Sequence, residues 1–486
     1  MVERRPHSSL ARRALVFLLA FAAAWVVSGY LLPDGAALAQ KAAKKGSKKA
    51  KVVDEDPCAN FEFEMMPLNE EAGKGAGREA AVTALQTGNL SPGSEAAFDA
   101  FFAEYQLPRL TQCKEIYHPQ GMQRLVKELK GNIEGRSKPV RDRLNAIVLR
   151  EGQKIAAGNY HPAARYNAML LIAELNADEG DAAAKSPPTP YADALPVMLA
   201  AFADDKQHDV VKTAALIGID RHVRSGAAGN EAPRLTTAMI ALVSQKTPPA
   251  GRSPDAHDWM RGQAANVLGT LRGTGAKNEV ITALESVVND AESSGSLRAR
   301  AARALGALDY SKAKQVDPSN VAAQIAAMAV SLYSEEKKQK DRANEFPNRR
   351  LVKFWFQSAN TGLVGIGGAD NKESLLALAK TAGEPHAKFV GDLATQLQAV
   401  SNHEMFDTDF IEPTKLATNF VELMGNVRKL ETYLKANRPK KPAAAVAASA
   451  TGDGKAAAAA ATPPAAAAVP PAAPAAPPAA APAAKQ

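Results

Sequence analysis

The side chains able to do chemistry are few and scattered along the 486 residues. Ser334-Glu335-Glu336-Lys337 has the SxxK spacing in which a lysine one helical turn away helps to activate a serine nucleophile. No SDN or KTG element accompanies it, and its charged surroundings suit a solvated helix end. Asn402-His403-Glu404, followed by Asp407, Asp409 and Glu412, offers oxygen ligands of the kind a loop uses for calcium. The glycine and regular spacing of an EF-hand loop are missing, so a solvated loop between helices is the preferred reading. Gly362 to Gly368 is rich enough in glycine to turn backbone N–H groups toward an anion. It follows a helical pattern and lacks the P-loop Lys-Ser/Thr, so it reads as a turn. The eight histidines (His7, His118, His161, His208, His222, His257, His386 and His403) form no HExxH and no close pair at metal-ligand spacing. The sequence therefore assigns no catalytic residue, no cofactor and no metal. The remaining catalytic alternative, an enzyme centred on residues 346–412, would have to use His403 or Glu404.

Binding chemistry is better represented. Phe354-Trp355-Phe356 beside Arg349, Arg350 and Lys353 is the densest aromatic patch, and Arg349, Arg350 and Trp355 are candidates for partner contact. Three consecutive aromatics on a helix cannot all face one way, so at least one of them is expected in the core. Trp259, ahead of Met260-Arg261, reads as packing between repeats. Lys41, Lys44, Lys45, Lys48, Lys49 and Lys51 form a cationic run suited to anionic lipid, anionic wall polymer or nucleic acid, with a merely solvated linker as the alternative.

Residues 1–39 have the pattern of a secretory signal: four early arginines, an apolar run from Ala14 to Val27, and Ala37-Leu38-Ala39 as a cleavage site. The stretch Ala14 to Leu32 also approaches the roughly 20 residues that span a bilayer, so an uncleaved anchor is the alternative. Either way the body is expected outside the cytosol, at the periplasm or cell envelope. In that setting the two cysteines, Cys58 and Cys113, read as a possible disulfide, against two buried free thiols if the compartment is otherwise.

The formal charge of +8 belongs to the arms. The signal region has four arginines against two acids, residues 41–51 have six lysines and no acid, and the chain from Lys435 onward has six cations against Asp453. What remains, residue 40 with residues 52–434, carries −5. A basic body tracking nucleic acid is not this pattern.

The elements that must carry these groups are helices. Arg165 is followed by Ala168, Met169 and Ile172; Arg261 by Ala264, Ala265 and Leu268; Arg298 by Ala301, Ala302 and Leu305. Offsets of three, four and seven share one face of an α-helix, and small residues there let a second helix come close. Lys212 with Ala215 and Ile219 supplies a more degenerate copy. Helix pairs are predicted over 191–203 with 209–223, 232–245 with 254–272, and 279–289 with 295–308. Further helices are predicted over 320–343, 350–363, 371–382, 385–401 and 412–436.

Val210-Val211-Lys212-Thr213-Ala214-Ala215-Leu216 and Leu297-Arg298-Ala299-Arg300-Ala301-Ala302-Arg303-Ala304-Leu305-Gly306 resemble the inner helix of HEAT-type repeats. That resemblance covers roughly residues 140–345 and implies antiparallel helix pairs stacked into an α-solenoid, with a binding role and no catalytic residue. The expected fold is all-α. A signal or anchor (1–39) and a Lys-rich linker (40–57) precede a helical region (58–158), a HEAT-like array (159–345) and non-repeating helices (346–438). A disordered Ala/Pro tail with ten prolines (439–486) ends the chain. The expected function is an exported, non-enzymatic scaffold for a protein partner. The alternative is a structural envelope component whose basic arms bind anionic polymer or lipid.

Overall fold

Several helices start on a side chain that accepts a hydrogen bond from the first turn. Ser253, Ser294 and Ser374 accept from the N–H groups of Ala256, Leu297 and Ala377, and Pro162 and Pro254 occupy first positions where no N–H is needed. The computed structural model describes residues 58–133, 137–181, 183–338, 348–406 and 413–437. The signal-like segment, the lysine run 41–51, the Ala/Pro tail, and Asp407, Asp409 and Glu412 lie outside the described residues.

Among the described residues the protein is all-α. The N-terminal helices are α1 (Gly75–Thr87), α2 (Glu95–Ala100, continued by a π-turn over Phe101–Gln106), α3 (Cys113–Tyr117), α4 (Gly121–Ile133), α5 (Lys138–Ala157) and α6 (Pro162–Glu174). A short antiparallel ribbon, β1 (Asn176–Asp178) with β2 (Thr189–Pro190), follows. Then come α7 (Ala194–Ala203), α8 (Asp209–Arg224), α9 (Ala232–Ser244), α10 (Pro254–Leu271), α11 (Glu279–Val288) and α12 (Gly295–Ala307). The last five are α13 (Pro318–Lys338), α14 (Arg349–Val364), α15 (Leu375–Ala382), α16 (His386–Ser401) and α17 (Pro413–Asn437). None of these helices is long and apolar enough to cross a membrane.

Consecutive helices pack as pairs from α5–α6 to α15–α16. The second member of each pair packs on the second member of the next, so α6, α8, α10, α12, α14 and α16 form one continuous row. In the other layer α9 touches α11, α11 touches α13, and α13 touches α15, while α17 lies against α13 and α16. One apolar cluster runs from Ala156 to Leu434 and a second from Ala80 to Leu175. Helix α6 supplies both, giving Met169 and Ile172 to the former and Ala168 and Leu171 to the latter. Packing continues from α13 to α14 across residue 346, where the sequence had suggested that repetition ends. The reason is visible in α14: Ser358, Ala359 and Gly362 follow Trp355 at offsets of three, four and seven, so small residues again line one face, without the basic residue at the start or the large aliphatic at seven.

Small residues on the phrase set how closely the row packs. A Cβ on Gly306 would lie 2.0 Å from the Thr361 carbonyl oxygen, and one on Gly362 would lie 2.8 Å from that of Ala302, so α12 and α14 touch backbone to backbone. The basic residue opening the phrase also has a physical task. Arg165, Arg261 and Arg298 each donate Nε–H to a carbonyl in the last turn of the preceding helix, namely Ala156, Val243 and Val288, each at 3.1 Å. Those carbonyls have no partner within their own helix, and a cation there also meets the negative end of the helix dipole. In α8 Ala215 and Ile219 of the Lys212 copy are buried, and so are Val211, Ala214 and Gly218 beside them. Lys212 makes no such carbonyl bond among the described residues.

Cys58 and Cys113 are joined by a disulfide that ties the segment ahead of α1 to α3. Beside it the Met66 N–H donates to Thr111 Oγ1 and Gln112 Nε2 donates to the Met66 carbonyl.

Three outcomes are expected in chemical denaturation. Gly306→Ala should lose about 1–3 kcal/mol through overpacking, whereas Gly391→Ala, whose Cβ would meet nothing within 4 Å, should be neutral or gain up to about 1 kcal/mol. Arg261→Met strips partners from the Val243 carbonyl, Ser293 and Asp258 and should cost about 3 kcal/mol, with Lys212→Met within about 0.5 kcal/mol of the parent. Reducing the disulfide, which closes a separation of 55 residues, should lower stability by up to about 4 kcal/mol.

Candidate functional site

The row of second helices carries two stripes. One faces the other layer and is the core; the second is left open and forms a groove of about 1030 Å3 across α6, α8, α10, α12 and α14. Its spacing is again helical: Thr213, Ile217, Asp220 and Arg224 on α8, then Trp259, Gln263, Asn266 and Thr270 on α10. On α12 the lining is Arg300, Arg303, Ala304 and Ala307, and Tyr166, Phe354 and Ile366 close the ends. Ile217 at 38% exposure and Ile366 at 58% are large aliphatics left in water.

The groove's polar groups are unevenly paired. Arg224 engages Asp220 at 2.6 Å. Arg300 and Arg303, one turn apart, make no hydrogen bond or ion pair within the described residues. Burial pulls the Arg300 guanidinium below its ordinary value; Asp220 opposes that, and Arg224 and Arg303 reinforce it. Burial pushes the Asp220 carboxyl up, against the pull of Arg224 and Arg300. Arg224 and Arg300 thus share one carboxylate, with Arg303 beside them.

Residues singled out from the sequence are distributed differently. Trp355 does not face a partner: it is 6% exposed and lies in the core against Gly295. Its neighbour Phe354 turns into the groove, and Phe356 is fully buried, because successive helical positions are rotated by about 100°. Arg349 donates to the Met405 carbonyl at 3.2 Å, across the fold from the groove's centre, and Arg350 is exposed. Trp259, expected between repeats, lines the groove. The glycine-rich turn brings Ile366 to the groove's end, held by Asn371 Nδ2 donating to its carbonyl at 3.0 Å.

The histidines hold backbone. His161 and His208 accept through Nδ1 from the second residue of α6 and α8. His222 and His257 bond carbonyls of neighbouring segments, at Tyr191 and Gln245. His403 Nδ1 accepts from the Met405 N–H, and Ser334 Oγ donates to the Val330 carbonyl within its own helix. No group of histidine, cysteine or acidic residues able to hold a metal occurs among the described residues.

One cluster was not visible in the sequence. Asp317, Ser319 and His386 meet at the start of α13, with Ser319 Oγ 2.7 Å and Asp317 Oδ1 3.7 Å from the His386 ring. Both approach the same nitrogen, Nδ1, and Ser319 is buried, so the trio lacks the two-sided imidazole of a nucleophile relay. Asp317 Oδ1 also accepts from the N–H groups of Ser319 and Asn320, which makes it a helix cap. Nearby, the Glu285 carboxyl and Tyr310 hydroxyl each bury an oxygen without a hydrogen-bond partner. Burial, with Asp317 adding, holds the Glu285 carboxyl above its ordinary range.

Compared with known proteins, the chain matches no family model, no curated sequence and no solved structure. The groove's signal was nevertheless available. Relative to the basic residue that opens each phrase, α10 and α12 place Gln263 with Arg300 at offset two, and Asn266 with Arg303 at offset five. These positions repeat as regularly as the core does.

A pH test follows for the buried carboxyl. A raised folded value favours the protonated form, so Glu285 contributes stability at low pH that is lost as pH rises through that value. Glu285→Gln should therefore raise Tm at about pH 7, and the gain should close near about pH 4.

Proposed function

We propose that this chain is an exported, non-enzymatic scaffold, an α-solenoid of HEAT-like helix pairs, that binds a protein partner along the groove at the cell envelope. The observation that carries the reading is the second stripe. Five consecutive helices of one row leave aromatic, aliphatic and charged side chains together on an open face, where a stacked array presents its extended binding surface. Lining drawn from residue 166 to residue 366 spreads recognition over the row instead of focusing it at one point. The Cys58–Cys113 disulfide supports an oxidising compartment, and with it the export pattern of the leader.

Ile217→Asp places a charge on an exposed groove position without touching the core. Affinity capture from an envelope fraction should recover one protein reproducibly with the parent chain and lose it with this variant. Recovery of the same protein by both would remove the groove from the account. Loss of envelope association only on deleting residues 41–51 and 439–486 would favour the basic arms as the working part.

A further inference from the structure

We propose that the groove takes an extended peptide segment that seats a carboxylate on Arg300 and Arg303 and lays a neighbouring aromatic or aliphatic side chain against Trp259 and Phe354. The proposal rests on reading the groove as the partner surface and names what the partner must present there.

Charge sets the first requirement. Asp220 is the one carboxylate lining the groove, and Arg224 already engages it. Arg300 and Arg303 project from the same face of α12 with no protein acceptor within the described residues. The half-buried Arg300 guanidinium has lost hydration, feels the charge of Asp220, and makes no hydrogen bond among the described residues in return. A carboxylate supplies the planar, two-oxygen acceptor that the guanidinium fork matches. Two free cations one turn apart suit one or two acids. A nucleic-acid backbone would need cations repeated along its track, and the surrounding body is net acidic.

Shape sets the rest. Gly269, Ala304 and Ala307 make a low floor between α10 and α12, so a main chain can lie close to the helices. Asn266 Nδ2 donates to Gln263 Oε1 at 3.3 Å beside that floor, which leaves the Gln263 Nε2 donors and the Asn266 Oδ1 acceptor for the N–H and C=O groups of an extended backbone. Trp259 and Phe354 are half-buried, leaving ring surface that only an apolar side chain would cover.

Selection of random twelve-residue peptides displayed on phage against the full chain tests this, with the selected peptides then synthesised and measured by fluorescence anisotropy. The peptides should share an Asp or Glu within a few residues of an aromatic or aliphatic residue. Replacing that acid by its amide, or the protein's Arg300→Gln with Arg303→Gln, should each weaken binding about tenfold or more, and together little further, as a coupled pair does. Trp259→Ala should also weaken it. Thermal melts check that the variants fold; if the double variant does not, Arg303→Glu, at an exposed position, takes its place.

Peptides that bind, respond to Trp259→Ala, but carry no acid and ignore the arginine changes would overturn this inference and leave the groove as a partner surface. No selection, or binding indifferent to all groove variants, would overturn both readings. Displacement of the peptides by a synthetic copy of residues 462–486 would place the chain's own tail in the groove, and displacement by a twenty-residue oligothymidine would place nucleic acid there. Either would overturn the inference.

Discussion

The bond from an arginine Nε to a carbonyl at the end of the preceding helix is the interaction that fixes three of the helix pairs, α5–α6, α9–α10 and α11–α12. It occurs at Arg165, Arg261 and Arg298 with the same length. Each one satisfies an acceptor that a helix end leaves open, sets a cation at the negative end of a dipole, and fixes the second helix of a pair against the first. Arg261 and Arg298 are almost fully buried, so their stems also fill space between the layers. Arg261 adds Asp258 and Ser293 to its carbonyl, whereas Arg298 Nη1 is buried without a hydrogen-bond partner among the described residues.

Once the pairs are fixed, small residues decide how they stack. The contacts of Gly306 with Thr361 and of Gly362 with Ala302 bring α12 and α14 closer than any side chain would permit. Close approach of the second helices buries one stripe of each and turns the next stripe outward. The groove is thus a geometric consequence of the same spacing that makes the core. At the other end the disulfide and the bonds around Met66 fasten the leading segment to α3 and the turn before it.

Polar side chains that drew attention for chemistry serve the chain ends instead. His161, His208, His403 and Asp317 cap turns or helices, and His222 and His257 hold carbonyls of connecting segments. Each connection between helices leaves backbone groups to satisfy. That demand accounts for the backbone bonds these histidines make.

The helices were legible because a stripe at offsets of three, four and seven is a property of the local chain, as are a Ser or Pro at the start and a Gly at the stop. Most of the helices expected between residues 191 and 437 stand within a few residues of where the sequence puts them. The ribbon of Asn176–Asp178 with Thr189–Pro190 was not legible, being too short for an alternation pattern. Nor was the role of Trp355 against Phe354, because adjacent positions differ only in which way a helix is rotated against its neighbours. The continuation into α14 was hidden by a tryptophan where an arginine was expected. By itself the sequence determined that helices form, where they begin and end, and which face of each is apolar. Tertiary structure alone decided which of the remaining positions meet across five helices, since Arg300, Trp259 and Ile217 are far apart along the chain and become neighbours only when the stacking angle is set by backbone contacts.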